Sequence, residues 1–153
     1  MSTFALFSFH CLVTFCGIAA KTEAHTKVQS RAEVCVDVAS EALHQGVDPV
    51  LAVAVAWRES AWTRSAVSKA GAVGPMQVIP RFWCKSKPCD HIEAGVRALK
   101  YYTEKHGEQG GLCAYLSGKP CQYGGGTVSA YRSSVIMQAL KFNELFSKVC
   151  SGC

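Results

Sequence analysis

Eight consecutive apolar residues, Val50 to Trp57, run between Asp48-Pro49 and Arg58-Glu59-Ser60. Asp48 has the side chain of an N-cap, and Pro49 suits the first helical position, where its missing N–H costs nothing. The run therefore predicts a helix that is apolar on every side. Such a helix is stable in water only when other elements surround it, so it belongs in the middle of a domain. The chain has the material for this: 153 residues, 49% hydrophobic and 18% charged, suit one domain with a substantial core.

The surrounding elements also read as helices, with almost no alternating strand pattern. Ser30 is placed to cap a helix from Arg31 to about His44, with Cys35, Val38, Ala39 and Ala42 inward and Gly46 as its stop. Residues 61–80 are irregular, punctuated by Gly71, Gly74, Pro75 and Pro80, with at most one short helix around Met76. Asp90-His91-Ile92-Glu93 has the form of a capping box. It opens a helix to about His106 that faces Ile92, Val96, Leu99 and Tyr102 inward, and a short helix near Leu112 to Leu116 follows. Gly124-Gly125-Gly126 forms a turn, and Thr127 caps the last helix. There Val128, Tyr131, Val135, Ala139, Phe142, Phe146 and Val149 recur at spacings of three and four. The expected fold class is mainly α and disulfide-stapled.

Met1 to Ala20 contains no Asp, Glu, Lys or Arg and ends in small residues, as a secretory signal peptide does. A cut after Ala19 or Ala20 would leave residues 21–153 as the mature domain. No strict cleavage motif and no early basic residue is present, so an uncleaved membrane anchor is the alternative. Nine cysteines are many for this length and, with export, point to an oxidising compartment and disulfides. Cys84 with Cys89 and Cys113 with Cys121 would close short loops. Cys35 with Cys150 or Cys153 would tie the first helix to the last. Cys11 and Cys16 fall within the leader segment, so of the seven others that set leaves one over, and spacing alone does not fix connectivity. A zinc site from Cys84, Cys89, Cys150 and Cys153 competes with the disulfides, although its spacings match no standard site. The net charge of +5 is dispersed, which suits any anionic polymer and carries no nucleic-acid signature.

Among the 11 acidic residues, Glu59 has the most unusual position. It follows the wholly apolar helix and sits between Trp57 and Trp62. Burial and the partial negative charge of a helix C-terminus both disfavour its ionised form. A raised pKa is what a general acid needs near neutral pH. From position alone, a surface glutamate ending a helix beside Arg58 is an equally open description. The other acids fall on caps, on polar helix faces or near helix ends, so none presents itself as a second carboxylate.

Glu59-Ser60, followed by Ala66-Val67-Ser68-Lys69-Ala70-Gly71-Ala72-Val73-Gly74-Pro75-Met76-Gln77-Val78-Ile79-Pro80, closely resembles the lytic transglycosylase family with the soluble-lytic, goose-lysozyme-like domain. That family shows a Glu-Ser pair, a Ser-x-x-Gly-Ala-x-Gly-Leu-Met-Gln segment and a proline soon after. Ala114-Tyr115-Leu116-Ser117-Gly118 is similar to its Tyr-Asn-Ala-Gly motif, and Tyr131 to the tyrosine that begins its last helix. The likeness spans about Val34 to Phe146.

The resemblance implies a lysozyme-like helical domain that cleaves bacterial peptidoglycan strands without metal or cofactor. Glu59 would be the catalytic acid and base. Ser60 would orient the glutamate or the substrate, Met76 would line the groove floor, Gln77 would contact an N-acetyl sugar, and Tyr115 and Tyr131 would stand near Glu59. Each also has a plainer description: Ser60 as a helix end, Met76 and Tyr131 as core, Gln77 as an exposed polar residue. Two positions depart from the family. Pro75 replaces leucine and removes a backbone donor, and Leu116 replaces asparagine. The expected setting is the periplasm or cell envelope. The expected partners are peptidoglycan and, as for small exported members, an envelope-spanning secretion, conjugation or pilus machine.

Overall fold

A computed structural model describes residues 9–121 and 126–151. Its elements are α1 (Phe9–Glu23), α2 (Val28–Gln45), α3 (Pro49–Ser60), α4 (Pro80–Trp83), α5 (His91–Ser117) and α6 (Gly126–Cys150). Among the described residues the only β-pairing is a pair of isolated antiparallel bridges, Val67 with Val73 and Val73 with Val78.

As the apolar run requires, α3 is the centre. Every residue from Pro49 to Ala56 is buried, and α2 and α6 both pack against it. The Asp48 carboxylate accepts hydrogen bonds from the Val50 and Leu51 amides (2.8 and 3.4 Å), and Pro49 occupies the first turn. Gly46 ends α2 in the left-handed region at φ 73°, which leaves Val47 free to donate to the Ala42 carbonyl.

α2 starts three residues earlier than expected. Lys27 is left-handed (φ 50°), the helix begins at Val28, and the Ser30 hydroxyl donates to the Lys27 carbonyl from within the first turn. α6 likewise begins at Gly126, so Thr127 lies inside it. Gln122 to Gly125 lie outside the described residues. The short helix forms at Pro80–Trp83, with Pro80 in its first turn, and not around Met76.

α5 is two helical limbs joined at Gly107 (φ 74°, ψ 171°), which matches the two helices expected on either side of that residue. Gly111 lets the second limb close on the first: a Cβ there would fall 2.6 Å from the Thr103 Cα. Asp90 caps α5 through the Ile92 and Glu93 amides (3.0 Å each). The Glu93 carboxylate does not reach back as a capping box would have it; the neighbouring Arg97 guanidinium takes it (3.2 Å).

The N-terminal segment changes the expected disulfide pairing. α1 is built into the core: Cys11, Leu12, Phe15, Cys16, Ala19 and Ala20 are all buried, at helical spacings that give one continuous face. Phe15 meets Phe142 and Phe146 edge-on (5.7 and 5.5 Å between centroids), and Glu23 pairs with Lys141. Cys35 is bonded to Cys16, and Cys150 to Cys11. The expected link from Cys35 to Cys150 or Cys153 is therefore replaced by two bonds to α1, because α1 lies against both α2 and α6. Cys153 lies outside the described residues. Cys84–Cys89 and Cys113–Cys121 pair as their spacing suggests. Among the described residues no helix is long and apolar enough to cross a membrane.

Candidate active site

Glu59 stands in the last turn of α3, where the buried helix reaches the surface. The chain reverses immediately after it, with Ala61 and Trp62 both at positive φ (49° and 57°). Trp62 holds this reversal. Its ring is 1% exposed, its indole N–H donates to the Val53 carbonyl (2.9 Å), and it stacks on Phe142 (5.5 Å) and meets Trp57 edge-on (5.0 Å). From α2, the Arg31 guanidinium donates to the Ala61 carbonyl (2.6 Å). The buried helix and this clamp together fix where the carboxyl projects.

The Tyr131 hydroxyl donates to Glu59 Oε1 at 2.5 Å. Burial raises the Glu59 pKa above its usual 4.5; the Tyr131 hydrogen bond and the adjacent Arg58 charge oppose this and do not cancel it. Burial, and then the negative charge of Glu59, push the Tyr131 hydroxyl well above its ordinary range, and the same causes act on Tyr115. Both phenols are therefore neutral donors at any physiological pH.

Ser60 works on the backbone. Its hydroxyl donates to the Pro75 carbonyl (2.7 Å) and accepts from the Thr63 amide (3.0 Å). This ties the end of α3 to the turn Gly74-Pro75-Met76-Gln77, which closes by a Gln77 N–H to Gly74 carbonyl bond (3.1 Å). Pro75 is second in that turn, where proline's fixed φ is favourable and no N–H is needed. Its replacement of leucine thus leaves the turn intact. Gly74, at φ 78°, approaches α5 so closely that a Cβ would lie 2.6 Å from the His91 Cβ.

Met76 is fully buried against Gly95, and its carbonyl accepts the Tyr115 hydroxyl (2.6 Å). Gln77 is left-handed (φ 53°), and its amide N–H groups donate to the Gly74 and Ala66 carbonyls (2.9 and 3.2 Å). The structure thus brings Glu59 and Tyr131 into direct contact. It joins Ser60, Met76, Gln77 and Tyr115 through one turn beside them. Tyr115 bonds to the Met76 backbone and not to Glu59.

Two cavities flank this arrangement. One, of about 360 Å³, is lined by Trp57, Arg58, Glu59, Ser60, Ser134 and Gln138. The other, of about 300 Å³, is lined among others by Gln77, Phe82, Trp83, Tyr102, Tyr115 and Leu116. Among the described residues, Glu59 is the only carboxylate lining either. A third cavity of about 360 Å³ beside Arg64, Pro88 and His91 contains Asp90, whose carboxylate is occupied in capping α5. Arg31, Arg58, Ser134 and Gln138 surround Glu59 and its turn without having been expected as site residues. Ser134 and Gln138 follow Tyr131 by three and seven residues, and that spacing was a signal for a polar stripe next to Glu59.

A buried helix thus carries one carboxyl of raised pKa to the wall of one cavity, with an aromatic-lined cavity close by, within a mainly helical domain. A model of the transglycosylase SLT domain matches residues 38–131, and the chain belongs to that family. No curated protein and no solved structure matches it.

Proposed function

We propose that the protein is a peptidoglycan lytic transglycosylase acting on the β-1,4 bond between N-acetylmuramic acid and N-acetylglucosamine. The observation that carries this is the lone, partly buried Glu59 bonded to Tyr131, in a chain of the SLT family. Glycosidases of the usual kind need two carboxyl groups, and among the described residues the cavities beside Glu59 offer one.

Glu59 enters protonated and gives its proton to the glycosidic oxygen. The C–O bond breaks, and the substrate's own acetamido group supports the cationic centre. Glu59, now a carboxylate, takes the proton of the muramic C6 hydroxyl, whose oxygen bonds to C1 and closes a 1,6-anhydro ring. Tyr131 holds the carboxyl in one orientation and donates to it in both states. The aromatic cavity around Trp83, Tyr102 and Tyr115 suits sugar faces. Leu116 offers an apolar surface there in place of an amide.

Four disulfides support a place in the periplasm or cell envelope. Phe4 to Ala20 is the segment that would direct export. The packing of α1 favours its retention over a cut after Ala19 or Ala20. An envelope-spanning secretion, conjugation or pilus machine is the setting this reading fits.

Digestion of purified peptidoglycan, with released fragments weighed by mass spectrometry, tests the reaction. Products one water lighter than hydrolytic fragments, absent with Glu59→Gln, are expected. Products of full hydrolytic mass would make the protein a lysozyme. Wild-type protein that binds glycan and releases nothing would make it a binding module.

A further inference from the structure

The start of α5 carries a second group of chemically active side chains, away from Glu59. Cys84, Cys89 and His91 follow one another as Cys-x-x-x-x-Cys-x-His, and their two sulfurs and one ring nitrogen lie within 4.8 Å of one another. All three residues are half-buried. Asp90 stands between them but is no fourth member, because its Oδ1 caps α5. Among the described residues nothing hydrogen-bonds the His91 ring. Cys84 and Cys89 are joined as a disulfide, and this bond differs from the other three. Cys11, Cys16, Cys35 and Cys113 are buried, so each of the other bonds has at least one partner sealed from solvent. An accessible disulfide is the one that an external thiol reduces first. Arg64 lines the cavity beside Cys89 and His91, and Lys85 and Lys87 stand exposed in the loop that the bond closes. Positive charges of this kind favour thiolate over thiol.

We propose that Cys84, Cys89 and His91 form a redox-gated zinc site: a disulfide under oxidising conditions, and a three-ligand zinc site once that disulfide is reduced. Two thiolates and an imidazole are a donor set that suits zinc(II). Tetrahedral zinc, with Zn–S about 2.3 Å and Zn–N about 2.0 Å, sets its ligand atoms about 3.5–3.8 Å apart. That lies inside the span these three atoms already share. The set differs from the one that cysteine spacing suggested: Cys150 is bonded to Cys11, and His91 takes its place. An external dithiol supplies two electrons and two protons to the Cys84–Cys89 bond and leaves as its own disulfide. Zinc(II) then displaces both thiol protons with no change in its oxidation state, and water takes the fourth position. Either link, S–S or S–Zn–S, closes the same loop and holds the end of α4 to the start of α5. Phe82 and Trp83, which line the aromatic cavity, are thus held in both redox states.

The experiment treats the full oxidised chain with a water-soluble phosphine until two thiols per chain react with an alkylating reagent. Peptide mass mapping should find the label on Cys84 and Cys89. The same partly reduced protein, unlabelled, is then titrated with cobalt(II) as a spectroscopic stand-in and with zinc(II). One ion per chain should bind, cobalt giving the near-ultraviolet charge-transfer band of metal–thiolate bonds and zinc abolishing it. Oxidised protein should show no such band. His91→Ala, which keeps the Cβ that lies against Gly74, should weaken zinc binding by at least about tenfold. The Cys84→Ser, Cys89→Ser double variant should give no band while its circular dichroism matches that of wild type. Label found first on another cysteine pair, a reduced and folded protein without the band, or zinc affinity unchanged in His91→Ala would each overturn the site. None of these readouts depends on glycan cleavage, so the site and the reaction stand or fall separately.

Discussion

Replacing Phe15 by alanine puts the role of α1 to a quantitative test. The ring is 1% exposed and packs edge-on against both Phe142 and Phe146. Transfer of the lost ring from core to water accounts for roughly 1.5–3 kcal/mol. The residual cavity and two lost aromatic contacts bring the total to about 3–5 kcal/mol, as for other buried phenylalanines. For a chain of this length each kcal/mol moves the melting point by about 2–4 °C, so a loss near 4 kcal/mol lowers it by about 8–16 °C. The assay is thermal unfolding by far-UV circular dichroism, on the oxidised protein. Phe9→Ala is the control: the same helix, the same chemistry, but a side chain 66% exposed, expected to change stability by no more than about 0.5 kcal/mol. Equal melting of Phe15→Ala and wild type would refute the inclusion of α1 in the working fold. So would an intact mass that shows the recovered chain starting after Ala20.

Glu59→Gln should lower turnover by about 10²–10⁴-fold, the share of a general acid, and raise stability at neutral pH. The sign follows from its folded pKa, which lies above the usual 4.5. The native state then binds the proton more tightly, and stability falls as pH rises from 4.5 through the folded value. The gap between variant and wild-type melting should therefore be largest at neutral pH and close below about 4.5. Tyr131→Phe removes a hydrogen bond that lowers the Glu59 pKa. The fall of kcat/KM on the alkaline side should accordingly move to higher pH, with kcat reduced; an unmoved limb would exclude Glu59 as the group titrating there. Gly111→Ala places a methyl 2.6–2.8 Å from the Thr103 and Tyr102 backbone. It should cost about 1–3 kcal/mol and also lower activity, since Tyr115 stands on the displaced limb; unchanged melting would show that the limbs part freely.

The helical fold was legible because its centre announces itself. Val50 to Trp57 has no polar face, Asp48 and Pro49 mark its start, and α6 keeps a regular apolar period from Tyr131 to Phe142. Glu59 was legible for the same reason, as the first acid after a buried helix. What escaped was decided by contacts distant in sequence. No local signal joins Cys16 to Cys35 or Cys11 to Cys150, because an apolar segment ending in small residues looks the same whether it is a leader or a core helix. Ser30 and Thr127 have the side chains of caps, yet the helices begin before them: the left-handed turn at Lys27 settles the start of α2, and α6 already includes Gly126. Gln77, expected to reach substrate, spends its N–H groups on the turn that carries it and lines the aromatic cavity. Conversely, the polar stripe of Ser134 and Gln138 gains significance only once Tyr131 is seen to touch Glu59.

The Cys11–Cys150 bond spans 139 residues and makes the chain almost a closed ring. By loop-closure entropy alone such a link is worth about 5 kcal/mol, but its mechanical effect reaches further. A pull applied outside Cys11 and Cys150 runs through one covalent bridge and bypasses every helix between them. The clamp around Glu59 then carries no load. A protein held on either side of that bond could be dragged without its cleft changing shape.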